Sequence, residues 1–155
     1  KKRLNNNLMM FFTGFTRFSS EVQKVNAAGK KKDTDELLKQ MYGLVNAAQQ
    51  ILVDKEKELD DFGRLLDHTW KLKRKSGAAV STNSIDELYE RGMKAGALGG
   101  KLLGAGGGGF LVFYVQPEKQ RSVKEAMKDL LYIPFTFENS GTQVIHYTPE
   151  SYEPR

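Results

Sequence analysis

Apolar positions along this chain follow two rhythms, short unbroken runs and helical spacing, and together they predict where strands and helices lie. Leu8-Met9-Met10-Phe11-Phe12 is an apolar run stopped by Thr13-Gly14, the pattern of a buried strand ending in a turn. Phe110-Leu111-Val112-Phe113-Tyr114-Val115 is a second run of the same kind. Between them, Arg17 to Ala28 reads as helix. Asp33 and Glu36 have capping-box spacing, and Leu37, Met41, Leu44, Ala48 and Ile51 then recur on one helical face. Leu59, Phe62, Leu65 or Leu66, Thr69 and Leu72 continue that rhythm after a phase shift around Asp54 to Glu58, so the block is two helices or one with a kink. Ser84 and Glu87 repeat the capping-box pattern, opening a helix to about Met93 with Ile85, Leu88 and Tyr89 on its apolar side. Pro117 suits a first helical turn, and Val123, Met127, Leu130 and Leu131 stripe the helix that follows until Pro134 ends it. Phe135-Thr136-Phe137, the turn Asn139-Ser140-Gly141 and Gln143 to Tyr147 predict a C-terminal β-hairpin.

A helical block early and hairpin strands late favour an α+β fold, an antiparallel sheet of about four strands packed with helices. The 155 residues suffice for one domain with a real core, so residues 1–155 are read as one unit.

Glycine disturbs this even pattern. Nine of the fifteen glycines lie between Gly92 and Gly109, directly before the second apolar run. So many are costly to order unless the backbone needs unusual dihedrals or close approach. In the stretch Gly104, Ala105, Gly106, Gly107, Gly108 and Gly109, successive amides can form a concave nest that binds phosphate or braces another loop that does, with Lys101 adding a point charge. A flexible loop, or glycines that permit tight strand packing, is the competing reading. The stretch precedes a strand and lacks the Gly-Lys-Ser/Thr ending, so a Walker-type phosphate loop is disfavoured.

Composition narrows the classes further. The absence of cysteine excludes disulfide frameworks, zinc-thiolate sites and thiol nucleophiles and suits a cytoplasmic protein. No apolar run approaches the roughly 20 residues that cross a bilayer, so no membrane association is expected. The chain opens on Lys1-Lys2-Arg3-Leu4 with no methionine and no signal region, which reads as a segment of something longer. A net charge of +5 suits an anionic partner. The basic clusters Lys30 to Lys32 and Lys71 to Lys75 lack aromatic interleaving and read as solvated helix ends, so nucleic acid is not the expected partner. A basic nucleic-acid module or a scaffold is the alternative of another class. His68 and His146 stand unaccompanied, so no metal site is expected. The acids of Asp54 to Asp61, interleaved with Lys55 and Lys57, suit a charged helix surface.

The string Gly-Gly-Lys-Leu-Leu-Gly-Ala-Gly-Gly-Gly-Gly-Phe-Leu-Val-Phe, residues 99–113, resembles the third conserved motif of the GHMP kinases. The resemblance extends from the opening LMMFFTGFTR through LLDHTWKLKRK to the STNSIDELYERGMKAG segment. It is strongest to the heptose 7-phosphate kinase branch, with fucose kinases and galactokinase as more distant look-alikes. It implies a two-domain enzyme that transfers phosphate from ATP, with Mg2+, to a sugar or sugar phosphate, here the anomeric hydroxyl of a heptose 7-phosphate. Residues 1–155 would be its C-terminal domain. The family's phosphate-wrapping Pro-x-x-x-Gly-Leu-x-Ser-Ser loop is not found here, nor is the aspartate expected as base. The resemblance therefore places no catalytic residue in this segment and assigns ATP and Mg2+ mainly to the protein's own N-terminal kinase domain, so this segment alone would be inactive. It also implies that Gly104 to Gly109, with Lys101, line the phosphate region. Arg17 matches a family Thr-Gly-x-x-Arg pattern, and Trp70 with Lys73 matches Trp-x-x-Lys, which makes these three the substrate-binding candidates; a solvent-exposed arginine at a helix start and a core or interface tryptophan are the competing readings.

Overall fold

A computed structural model describes residues 1–14, 31–77, 80–104, 107–144 and 146. Among them the chain forms helix α1 (Lys2–Asn6), strand β1 (Leu8–Phe12), the long helices α2 (Lys31–Val53) and α3 (Asp60–Lys75), and helix α4 (Asn83–Lys94). Strands β2 (Gly99–Leu103) and β3 (Phe110–Tyr114), a short 3-10 turn at Pro117–Lys119, helix α5 (Gln120–Ala126) and strand β4 (Leu131–Ile133) complete it. The sheet order is β2-β3-β1-β4, and every neighbouring pair is antiparallel. The architecture is thus the α+β fold with a four-stranded antiparallel sheet that the sequence implies.

Alternation along the strands builds the core. Met9 and Phe11 of β1, Leu111 and Phe113 of β3 and Leu102 of β2 share one face. Ile85 and Tyr89 of α4, with Val123 and Met127 of the α5 segment, close over it. The rings interlock: Phe113 meets Phe11 edge to face at 6.3 Å and Tyr89 at a shallow tilt at 5.7 Å. On the opposite face, Leu103, Phe110, Phe12 and Leu131 form one row across all four strands, of which Phe110 and Leu131 are exposed.

Helix α3 passes the outermost strand, β2, at very short range. A Cβ on Gly99 would stand 1.9 Å from the Gly63 carbonyl oxygen and 2.8 Å from the Asp67 amide, and a Cβ on Gly63 would stand 2.6 Å from the Tyr114 ring. Only paired glycines allow that approach, and it covers an edge that would otherwise be open to another strand. Two tyrosine hydroxyls lock the crossing. Tyr114 donates to Asp60 at 3.0 Å, with Gln116 donating to the other carboxylate oxygen. Tyr89 donates to Asp67 at 2.9 Å, with Lys71 on the other oxygen at 2.7 Å.

Burial, then the adjacent carboxylates, push the ionisation of Tyr89 and Tyr114 well above the ordinary tyrosine range. The folded state therefore holds these protons more tightly than the unfolded chain. Stability is fully present below the unfolded value of about 10 and falls as pH rises beyond it, by up to about 1.4 kcal/mol per pH unit for each group. Urea midpoints measured from pH 8 to 11.5 should hold steady and then drop above pH 10. The Tyr89→Phe and Tyr114→Phe pair should show a shallower drop, and an equal drop in both proteins would refute the assignment.

Several local expectations change. The break between Asp54 and Leu59 separates two helices. Asp33 lies inside α2, so it is not the N-cap. For α4 the cap is Thr82, not Ser84: its backbone is extended and its side-chain oxygen accepts from the Ile85 amide at 3.3 Å. The stretch taken as a glycine loop contains β2. The helix after Pro117 ends at Ala126, and Leu131, expected on its stripe, begins β4. The predicted C-terminal hairpin does not form among the described residues. Asn5 takes the place of a partner strand there, its side-chain oxygen accepting from the Phe137 amide at 3.0 Å and its amide donating to the Phe135 carbonyl at 3.3 Å. The helix expected at Arg17 to Ala28 lies outside the described residues.

Candidate functional site

The hairpin joining β2 to β3 places the glycine stretch at one end of the sheet, beside the end of β1 and the approach to α4. Gly104, Gly107 and Gly109 take φ of 119°, 69° and 113°, which side chains rarely adopt, and this is why glycine stands at each. At Gly109 a Cβ would also meet the Leu103 carbonyl oxygen at 2.7 Å.

The loop is held from two sides. The amide of Gly107 donates to the Val80 carbonyl at 3.2 Å, two residues before the α4 cap. At its other end, the amide and the hydroxyl of Thr13 both donate to the Gly109 carbonyl at 2.9 Å, and the Gly109 amide donates back to that hydroxyl at 3.1 Å. Two of the loop amides are therefore engaged in bracing. Both Val80 and Thr13 escaped the sequence reading as parts of the site. The sequence marks Thr13 only as the turn that ends β1 and as the first position of the Thr-Gly-x-x-Arg pattern.

The N-terminus of α4 faces this region with a fixed set of polar groups. Asp86 in its first turn accepts from Ser81 at 2.7 Å and from Arg74 of α3 at 2.9 Å, and the Arg74 guanidinium stacks over Tyr89 at 5.9 Å. A cleft of about 380 Å³ beside Thr13 is lined by Ser84, Glu87, Leu88, Arg91, Asp129 and Leu130. Arg91 and Asp129 pair across it at 3.0 Å.

The residues singled out from the sequence are distributed unevenly around this end. Lys101 projects from β2 on the same face as Leu103, two residues before the strand ends. Lys73 stands exposed on the last turn of α3. No ion pair among the described residues engages either ammonium group. Trp70 is 2% exposed and packs against Tyr89 at 6.1 Å, and its indole Nε1 finds no hydrogen-bond partner among the described residues. Gly107 and Gly108 are buried and Gly104 is exposed. Arg17, Ala105 and Gly106 lie outside the described residues. No group of three His, Asp or Glu that could hold a metal ion is present among the described residues, and no described helix is long and apolar enough to cross a membrane.

Comparison with known proteins gives a consistent assignment. The profile of "GHMP kinases C terminal" matches residues 47–133. A D-glycero-alpha-D-manno-heptose 7-phosphate kinase of Campylobacter jejuni is 29% identical over 142 residues, 87% of this chain and 40% of that protein. A mevalonate kinase of Thermococcus sibiricus is 34% identical over 124 residues, 74% of this chain and 36% of that protein. The crystal structure of the Methanococcus jannaschii mevalonate kinase superposes with a TM-score of 0.70 at 25% identity, covering 85% of this chain and 40% of that one. The chain thus spans about two fifths of the length of the relatives it matches. With more than half of its residues inside the matched profile, and the glycine stretch among them, the chain belongs to the GHMP kinases, in their C-terminal family.

Proposed function

We propose that this chain is the C-terminal domain, residues 1–155, of an ATP-dependent kinase that phosphorylates the anomeric hydroxyl of a heptose 7-phosphate. The observation that carries the reading is the doubly braced glycine loop at the sheet end, within a chain that matches the heptose 7-phosphate kinase over 87% of its length. In phosphoryl transfer the protein acts mainly by positioning groups and neutralising charge. The loop from Gly104 to Gly109 sets the shape of the phosphate region, and Lys101 adds positive charge beside it. Lys73 and Arg17 are the candidates for the sugar phosphate. Trp70 serves by seating α3 against Tyr89, since a ring so deeply buried offers no face to a sugar. ATP and Mg2+ are held mainly by the N-terminal domain, which also supplies the base, so this segment alone is inactive.

A second reading, mevalonate as acceptor, is favoured by the higher identity to the Thermococcus protein. ADP release from Mg-ATP by the full-length protein decides between them, with D-glycero-D-manno-heptose 7-phosphate, mevalonate, fucose and galactose offered in parallel. Turnover with the heptose phosphate alone is expected. Turnover with mevalonate alone would replace the first reading by the second, and silence with all four would remove both.

A further inference from the structure

Thr13 is buried, 3% exposed, and three hydrogen bonds join its amide and hydroxyl to Gly109. A buried hydroxyl costs stability unless it is bonded, and a surface turn at the end of a strand would not need one. Nor is it required for strand pairing, because the β1–β3 ladder is complete from Leu8 to Phe12 without it. Its backbone amide alone would already satisfy the Gly109 carbonyl. The side chain adds a second donor to that carbonyl and an acceptor for the Gly109 amide, which fixes the orientation of Gly109 on both sides of its Cα. Gly109 sits at φ 113°, a conformation with no intrinsic preference that would hold it there unaided.

We propose that Thr13 is a positioning residue for the phosphate-transfer site, its hydroxyl holding Gly109 and with it the glycine loop in the shape that the reaction uses. The inference rests on the kinase reading above, for which the loop borders the transferred phosphate. Valine keeps the shape of threonine and removes only the hydroxyl, whereas serine keeps the hydroxyl and removes the methyl. In the full-length kinase, Thr13→Val should lower kcat about tenfold or more, the loss of one buried hydrogen bond felt in the transition state, with the acceptor KM nearly unchanged. Thr13→Ser should restore kcat to near the wild-type value.

Amide hydrogen exchange of Gly109 in the full-length protein supplies a readout that does not depend on catalysis. Its exchange should quicken about tenfold in Thr13→Val and stay slow in Thr13→Ser. Equal kcat in all three proteins would overturn the proposal, as would equal losses in Val and Ser, which would point to packing of the methyl. If the wild-type protein phosphorylates none of the acceptors, the kinase reading fails on its own. Unchanged Gly109 exchange in Thr13→Val would then refute the latch independently.

Discussion

Replacing Gly99 with alanine is expected to lower the melting temperature of the domain by about 10 °C, the largest stability loss of any single methyl added to it. The added Cβ would lie 1.9 Å from the Gly63 carbonyl oxygen and 2.8 Å from the Asp67 amide. Both obstacles are helix backbone, so no side-chain rotation relieves the overlap. Helix α3 must lift away from β2, which loosens the Tyr89–Asp67 and Tyr114–Asp60 bonds together. Overpacking of this kind costs about 3 kcal/mol, a large part of the roughly 5–15 kcal/mol that holds a domain folded. Gly43 of α2 provides the control: a Cβ there meets nothing within 4 Å, and alanine should stabilise the helix by up to about 1 kcal/mol. Thermal unfolding followed by circular dichroism compares the two, and equal melting temperatures would mean that α3 is not seated on Gly99.

Valine at Gly107 should act on turnover more than on folding. The residue is buried at φ 69°, where a β-branched side chain is strained by about 1–3 kcal/mol. Relief rotates the peptide away from the Val80 carbonyl and moves the loop from one of its two anchors. The paired residues of β2 and β3 end at Leu103 and Phe110, so the sheet register is untouched. In the full-length kinase, a displacement of about 1 Å at a positioning loop lowers kcat about 100-fold. Asparagine, which tolerates this region of backbone space, should lose much less. Steady-state ADP release from the two variants tests this ordering, and wild-type kinetics for Gly107→Val would remove the loop from the site.

Strands β1 and β3 were legible because their residues are apolar without interruption, as a central strand buried against neighbours requires. Strand β2 was not, because its glycines answer to neighbours elsewhere in the chain, Gly99 to the passage of α3 at Gly63 and Gly100 to Val112 and Phe113 of β3. One glycine-rich stretch thus combines two requirements, close approach of a helix at Gly99 and of β3 at Gly100, and positive φ from Gly104 onward, and composition does not separate them. The C-terminal hairpin pattern was a genuine strand signal around Phe135 and Phe137, but the groups that satisfy it belong to Asn5, more than a hundred positions away in sequence. Lys101 was legible as a nearby charge, whereas the braces at Thr13 and Val80 became visible only when the turns were brought together.

The order of the strands bears on how the chain is made. Strand β1 sits inside the sheet, yet both of its partners, β3 and β4, follow it by roughly a hundred residues or more. At a ribosomal rate of about 5–20 residues per second, Met9 and Phe11 therefore emerge many seconds before Phe113 and Tyr132 exist to receive them. Helices α2 to α4 can form locally in that interval, but the sheet cannot begin. A nascent chain stalled before residue 110 should thus present β1 as an unpaired apolar strand, the form in which the polypeptide most needs a chaperone.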